Sequence, residues 1–179
     1  RLVGSEMCIR DRIEGAEPSA FLAEDRDRAM NCLSYVSAFR FAEWAGARLP
    51  REAEWRFAAQ GEHPQLRRFP WGGQPASCAY AILFEGRGAC AIEDSEEHAG
   101  PQPACARPQG MSPDGLCDLV GNVWEWTEAE RIGEEKIIGG GWYSDGSRLN
   151  LLDPSPRLRD REDAGIGIRL ARDVPSRSR

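Results

Sequence analysis

Cysteine is the residue with the most chemistry to offer in this 179-residue chain. Six are present, and none lies beyond Cys117. Four of them mark two equal intervals: Cys78 and Cys90 are twelve apart, as are Cys105 and Cys117. All four fall in a stretch rich in Gly and Pro. A zinc site with four cysteine ligands is one reading, but the CxxC spacing that marks one is absent, so disulfides are the better reading. Four cysteines allow three pairings, and spacing does not choose among them. Disulfides imply an oxidising compartment, so the expected location is periplasmic, cell-surface or secreted. Cys32 reads as a small buried apolar residue. His63 and His98 stand in polar loop contexts and read as solvent-exposed.

Composition narrows the partners. The net charge is −6, whereas nucleic-acid binding usually leaves a basic stripe. No apolar run is long enough to cross a bilayer. Apolar residues make up 41% of the chain, enough for one core. Nineteen Gly and twelve Pro predict a loop-rich globule rather than a helical bundle.

The elements that must position these residues begin at Asn31. Tyr35, Val36, Ala38, Phe39, Ala42 and Ala45 recur at helical spacing, with Ser34 as the N-cap and Gly46 as the stop. A second short helix starts near Pro50, places Glu52 and Glu54 at its positive end, and closes at Gly61. Its buried face is Trp55, Ala58 and Ala59. Residues 69–113 read as a long irregular segment that must be pinned or functional. Short strands are expected at Val123–Trp126, Lys136–Ile138 and Ile166–Leu170. Trp44, Trp55, Trp124 and Trp126 read as core. Trp71 and Trp142 adjoin loop glycines and are the better candidates for a surface role. Residues 1–12 resemble translated sequencing-adapter sequence and are set aside, Cys8 included. The domain is then 13–173, with a disordered tail at 174–179.

Five motifs occur in a telling order. Arg48-Leu49-Pro50-Arg51-Glu52-Ala53-Glu54-Trp55 resembles RLPTEAEW, and Phe69-Pro70-Trp71-Gly72 resembles (F/Y)PWG. The stretch from Gly115 to Trp126 resembles GLYDMxGNVWEW. Gly139-Gly140-Gly141-Trp142 resembles RGGSW, and Gly167-Ile168-Arg169-Leu170-Ala171 resembles GFRLA. Together they resemble the sulfatase-modifying, formylglycine-generating family over residues 31–172. The family's N-terminal strands are not seen ahead of them, so an N-terminally truncated domain is expected. The resemblance implies an α+β, C-type-lectin-like fold: two short helices, short twisted strands and long irregular loops.

The same resemblance implies a chemistry and removes it. Active members oxidise a sulfatase cysteine to formylglycine with oxygen and copper held by two cysteines. Two thiolates form a soft site that selects Cu(I). The matching positions here are Ser144 and Leu149, so copper is not expected. A related branch, the ergothioneine-type sulfoxide synthases, binds iron through histidines of a separate helical domain, and the two histidines here do not supply such a set. Calcium is the remaining candidate. The family site maps onto Asp118 and Glu125 as carboxylates and onto Gly121 and Val123 as carbonyl donors. The plainer alternative is that Asp118 caps a turn and Glu125 pairs with an arginine. A second family calcium site needs an Asn that 78–82 lacks. Members with cysteines at these places imply the pairs Cys78–Cys90 and Cys105–Cys117.

Departures cluster at the expected active face: Ile138 replaces Arg, Gly141 replaces Ser and Ile168 replaces Phe, while Arg51 replaces a Thr cap. The Arg- and Asp-rich stretch 145–163 lines the family's ligand face, or is a solvated loop. The leading expectation is a non-catalytic domain that binds a protein or small-molecule ligand. The rival is a metal-dependent oxidoreductase of the same family.

Overall fold

The computed structural model describes residues 27–62, 67–85, 88–90, 100–149, 151, 154–156, 159–160 and 162–173. The expectations for 1–12, for the tail 174–179 and for His63 and His98 lie outside these residues.

Both helices form where caps and periodicity place them. Helix α1 runs Tyr35–Trp44, and the Ser34 hydroxyl accepts the Ser37 amide at 3.3 Å, satisfying one orphan donor of the first turn. Tyr35, Ala38 and Ala42 are its buried face. Helix α2 runs Glu52–Gln60. Arg51 supplies no side-chain cap, but the Glu54 carboxylate reaches back to accept the Arg51 amide at 2.9 Å, which is half of a capping box. Gly46 and Gly61 end the helices in left-handed conformations.

The remaining elements are short. A hairpin, β1 (Phe84–Glu85) and β2 (Gly88–Ala89), lies inside the segment expected to be irregular. A four-stranded sheet comprises β3 (Trp124–Thr127), β4 (Lys136–Ile138), β5 (Ser155–Pro156) and β6 (Ile166–Gly167). Its order is β5-β4-β3-β6, with β3 and β6 parallel and the other pairs antiparallel. Strand β6 is shorter than the alternation predicted and ends at Gly167; two residues on, Arg169 bonds Glu125.

Strand pleating sends alternate side chains to opposite faces. Trp126 and Ile137 are register partners and pack with α1, Leu49 and Ile166. Glu125 and Ile138 are the next pair. Ile138 joins the other cluster, with Trp55 and Ala59 of α2, Phe69, Leu83, Leu119 and Leu149. The sheet therefore separates two hydrophobic clusters, one under each helix.

Two expectations need correction. Trp44 is 81% exposed rather than core, because it sits on the last turn of α1 away from the Tyr35, Ala38 and Ala42 face. Cys32 is half-buried and disulfide-bonded rather than an inert buried thiol.

Candidate functional site

The chain after β4 carries Ser144 and Leu149, the positions that match the family's copper cysteines by motif. Gly139 and Gly140 are both left-handed and turn the chain sharply out of the sheet. Ser144 then closes the loop on itself. Its hydroxyl accepts the Gly141 amide at 3.0 Å, and its own amide donates to the Gly141 carbonyl at 2.9 Å. The Ser144 carbonyl accepts the Phe84 amide at 2.9 Å, which fixes β1 against the loop. Leu149 lies inside the first cluster, 6% exposed, against Gly140. At these two positions the chain therefore has a hydroxyl committed to a turn and an isobutyl group committed to the core.

Beside the loop is a cleft of about 410 Å³. Arg68, Phe69, Phe84, Glu85, Asp145 and Ser147 line it. Asp145 caps the 3₁₀ turn Gly146–Arg148, accepting both the amide and the hydroxyl of Ser147. Those two bonds, helped by Arg148, hold its carboxyl below the usual range. The Arg68 guanidinium lies over the Phe69 ring, 5.2 Å from its centre. The cleft thus offers aromatic faces with one cation and two carboxylates. Of the 145–163 stretch, its Asp145–Ser147 end lines the cleft.

The expected calcium residues sit on the turn into β3. Glu125 is 3% exposed and its carboxylate is heavily used. Oε2 accepts Trp55 Nε1 at 2.6 Å and Arg169 Nε at 2.9 Å, and Oε1 accepts Arg169 Nη2 at 2.8 Å. A carboxylate has about four lone-pair sites, so roughly one is left, on Oε1. Arg169 also donates to the Cys117 carbonyl at 2.8 Å, and Glu125 together with Asp118 holds the guanidinium firmly charged. Asp118 accepts the Cys105 amide at 2.7 Å. A cation here would draw on Asp118, the carbonyls of Gly121 and Val123, and the remaining site of Glu125, beside the positive Arg169.

The turn itself is tightly specified. Gly121 is left-handed, and a Cβ there would overlap the Ile82 carbonyl oxygen. Asn122 is fully buried and also left-handed. Its side chain exchanges two hydrogen bonds with the Gln102 backbone, at 2.8 and 3.1 Å, and its backbone bonds Ile82 and Trp142. One residue thus ties three loops to the start of β3.

Two of the disulfides are Cys78–Cys90 and Cys105–Cys117, the pairs the resemblance implies. A carboxylate accepts the amide of the first cysteine in each case, Glu85 for Cys78 and Asp118 for Cys105. Oxidised, neither pair offers a thiolate to zinc. Trp71 stacks between Phe69 and Tyr80, and Trp142 is 8% exposed, so both act mainly in packing. The sequence reading missed Arg169 as the specific partner of Glu125, Gln102 as the partner of Asn122, and Arg68, Phe84 and Glu85 as cleft residues. An Arg two residues after an apolar strand was the one available signal, and it names no partner.

Comparison with known proteins agrees with this layout. The profile of the sulfatase-modifying factor enzyme 1-like domain matches residues 8–174. The formylglycine-generating enzyme of Mus musculus is 39% identical over 163 residues, 79% of this chain and 43% of that protein. Hercynine oxygenase of Mycobacterium tuberculosis is 31% identical over 173 residues, 83% and 37% respectively. Inactive C-alpha-formylglycine-generating enzyme 2 of Bos taurus is 30% identical over 167 residues, 87% and 54%. The chain spans roughly a third to a half of the length of these curated relatives. Among solved structures, PvdO from Pseudomonas aeruginosa superimposes with a TM-score of 0.65 at 19% identity, covering 83% of this chain and 63% of that one. CarF does so with a TM-score of 0.62 at 18% identity, covering 86% and 70%. Motif order, fold and profile agree that the chain belongs to the sulfatase-modifying factor enzyme 1-like family, the family of the formylglycine-generating enzymes.

Proposed function

We propose that this domain has lost copper-dependent cysteine oxidation and acts as a ligand- or protein-binding module, extracytoplasmic and stabilised by its disulfides. The observation that carries the reading is the pair Ser144 and Leu149. Neither side chain is a thiolate, and Leu149 is packed into the core. Copper(I) needs soft ligands, and the described cysteines are consumed in disulfides. The cleft beside Ser144, with its aromatic walls and mixed charges, is the candidate ligand face. Calcium belongs to this reading as a structural ion at the Asp118 turn. Two disulfides accord with an oxidising compartment.

Anaerobic Cu(I) competition titration tests the loss of catalysis. The expected result is no tight stoichiometric binding; a tight one-to-one complex would sink the proposal. In the same preparation, calcium should raise the melting temperature, and Asp118→Asn should remove that rise.

The second reading is a metal-dependent oxidoreductase of the same family, acting on a sulfatase cysteine or in related oxygen-dependent chemistry. The 39% identity to an enzyme favours it. A stoichiometric redox metal in protein purified from its own host would support it over the first.

A further inference from the structure

We infer that Cys105, Cys117 and Asp118 form a zinc site once the disulfide between the two cysteines is reduced. Both sulfurs and a carboxylate oxygen of Asp118 lie within 4.8 Å of one another. Zinc takes thiolates at about 2.3 Å and carboxylate oxygen at about 2.1 Å, so its tetrahedral ligands stand roughly 3.5–3.8 Å apart. The Cα atoms of Cys105 and Cys117 are 5.2 Å apart, so side-chain rotation can reach that spacing. Three protein ligands with water in the fourth position make the open form of a zinc site, and the exposed Cys105 leaves room for that water. The missing CxxC spacing argues against a closed four-cysteine site, not against this one. The hard carboxylate oxygen favours zinc over Cu(I), which prefers sulfur.

Bracing that survives reduction keeps the three ligands together. The Cys105 amide donates to Asp118 Oδ2 at 2.7 Å, which leaves the other carboxylate oxygen for a metal. Arg169 donates to the Cys117 carbonyl at 2.8 Å. Between the two cysteines the loop turns on Ser112, whose hydroxyl accepts the Leu116 amide at 3.2 Å and whose carbonyl accepts the Gly115 amide at 2.9 Å. None of these bonds involves sulfur. Cys78, Cys90 and Glu85 form a similar triad, but Cys90 is 4% exposed, so a reductant reaches Cys105 first. A dithiol gives the Cys105–Cys117 bond two electrons and two protons and is itself oxidised to a disulfide. Zinc then displaces the two thiol protons. The metal takes over the closure of the loop that the disulfide provides in the oxidised chain.

Zinc titration of the full 179-residue chain against a chromophoric chelator tests the inference, before and after graded reduction by an immobilised dithiol. Calcium is left out, because Asp118 is also the carboxylate of the calcium reading. The expected result is no tight zinc binding by the oxidised chain and one zinc per chain once Cys105–Cys117 is open. Alkylation followed by mass spectrometry should show zinc protecting Cys105 and Cys117 and no other cysteine. Cobalt in place of zinc should give a tetrahedral spectrum with sulfur-to-metal charge transfer. Asp118→Asn keeps both cysteines, so it forms the disulfide as the parent does, and after reduction it should bind zinc about tenfold or more weakly. Equal zinc binding before and after reduction overturns the inference, as does a reduced chain that binds none. So does a reduced chain that circular dichroism shows unfolded in the presence of zinc, protection of any other cysteine, or an Asp118→Asn variant of unchanged affinity.

Discussion

Glu125 is a carboxylate in a place from which water is excluded, and its three accepted hydrogen bonds keep it tolerable there. Removing its charge leaves the Arg169 guanidinium without its counter-ion. Glu125→Gln is therefore expected to cost about 3 kcal/mol or more in urea denaturation. The double change Glu125→Leu with Arg169→Leu should cost less than Glu125→Gln, because no charge is left stranded. If Glu125→Gln is neutral, the pair does not hold the strand in place. A second residue-scale effect depends on pH. Arg48 grips Glu54 through two hydrogen bonds, at 2.6 and 2.7 Å, and also bonds Asp173. The Arg48 side chain and then the Arg51 amide pull the Glu54 carboxyl from 4.5 down to about 2. A carboxyl depressed on folding stabilises the protein above its unfolded pKa, and that share is lost as pH falls from 4.5 towards 2. Glu54 is 41% exposed, so solvent screening limits the effect to about 1 kcal/mol or less. Stability of Glu54→Gln measured between pH 7 and pH 2.5 should lack that part of the acid limb.

The elements are short and depend on what braces them. The longest strand among the described residues has four residues, and β1–β2 is a hairpin of two residues per strand. Such pieces have little independent stability, so the loops around them must be fixed by other means. Each disulfide closes a loop over a separation of twelve residues. Each is expected to contribute about 3 kcal/mol by restricting the unfolded chain. Replacing Cys105 and Cys117 by Ser should lower the denaturation midpoint by a corresponding amount. Cys78 and Cys90 should behave alike, and the two losses should nearly add, because the loops do not overlap. The absence of any midpoint shift in either variant would assign the bracing to hydrogen bonds such as Asn122–Gln102 instead.

Among the described residues, two hydrophobic clusters share the four-stranded sheet. Trp55 anchors one and Trp126 the other, and the indole nitrogen of Trp55 is bonded to the strand that carries Trp126. Neither cluster can open without exposing a face of β3 and β4. Unfolding should therefore be a single transition, with near-ultraviolet and far-ultraviolet circular dichroism coinciding. Two separated transitions would show that the clusters are independent. The same architecture accommodates the two positions that match the family's copper cysteines by motif. Ser144 completes a turn and Leu149 fills the core.

The sequence by itself determined the helices, the family and the absence of any cysteine beyond Cys117. Ser34, Gly46 and Gly61 act on neighbours within a turn, so their effects are written locally. The disulfide pairs were legible only through resemblance, since spacing allowed three connectivities. Tertiary structure alone decided the partners of Glu125, which lie 44 and 70 residues away. It also decided that Phe84 and Arg68 meet at one cleft, and that Trp44 faces water while Trp126 does not. Those outcomes depend on how the sheet closes between the two helices. No local periodicity encodes that closure, because each contact is bought by loops whose paths only the packed chain defines.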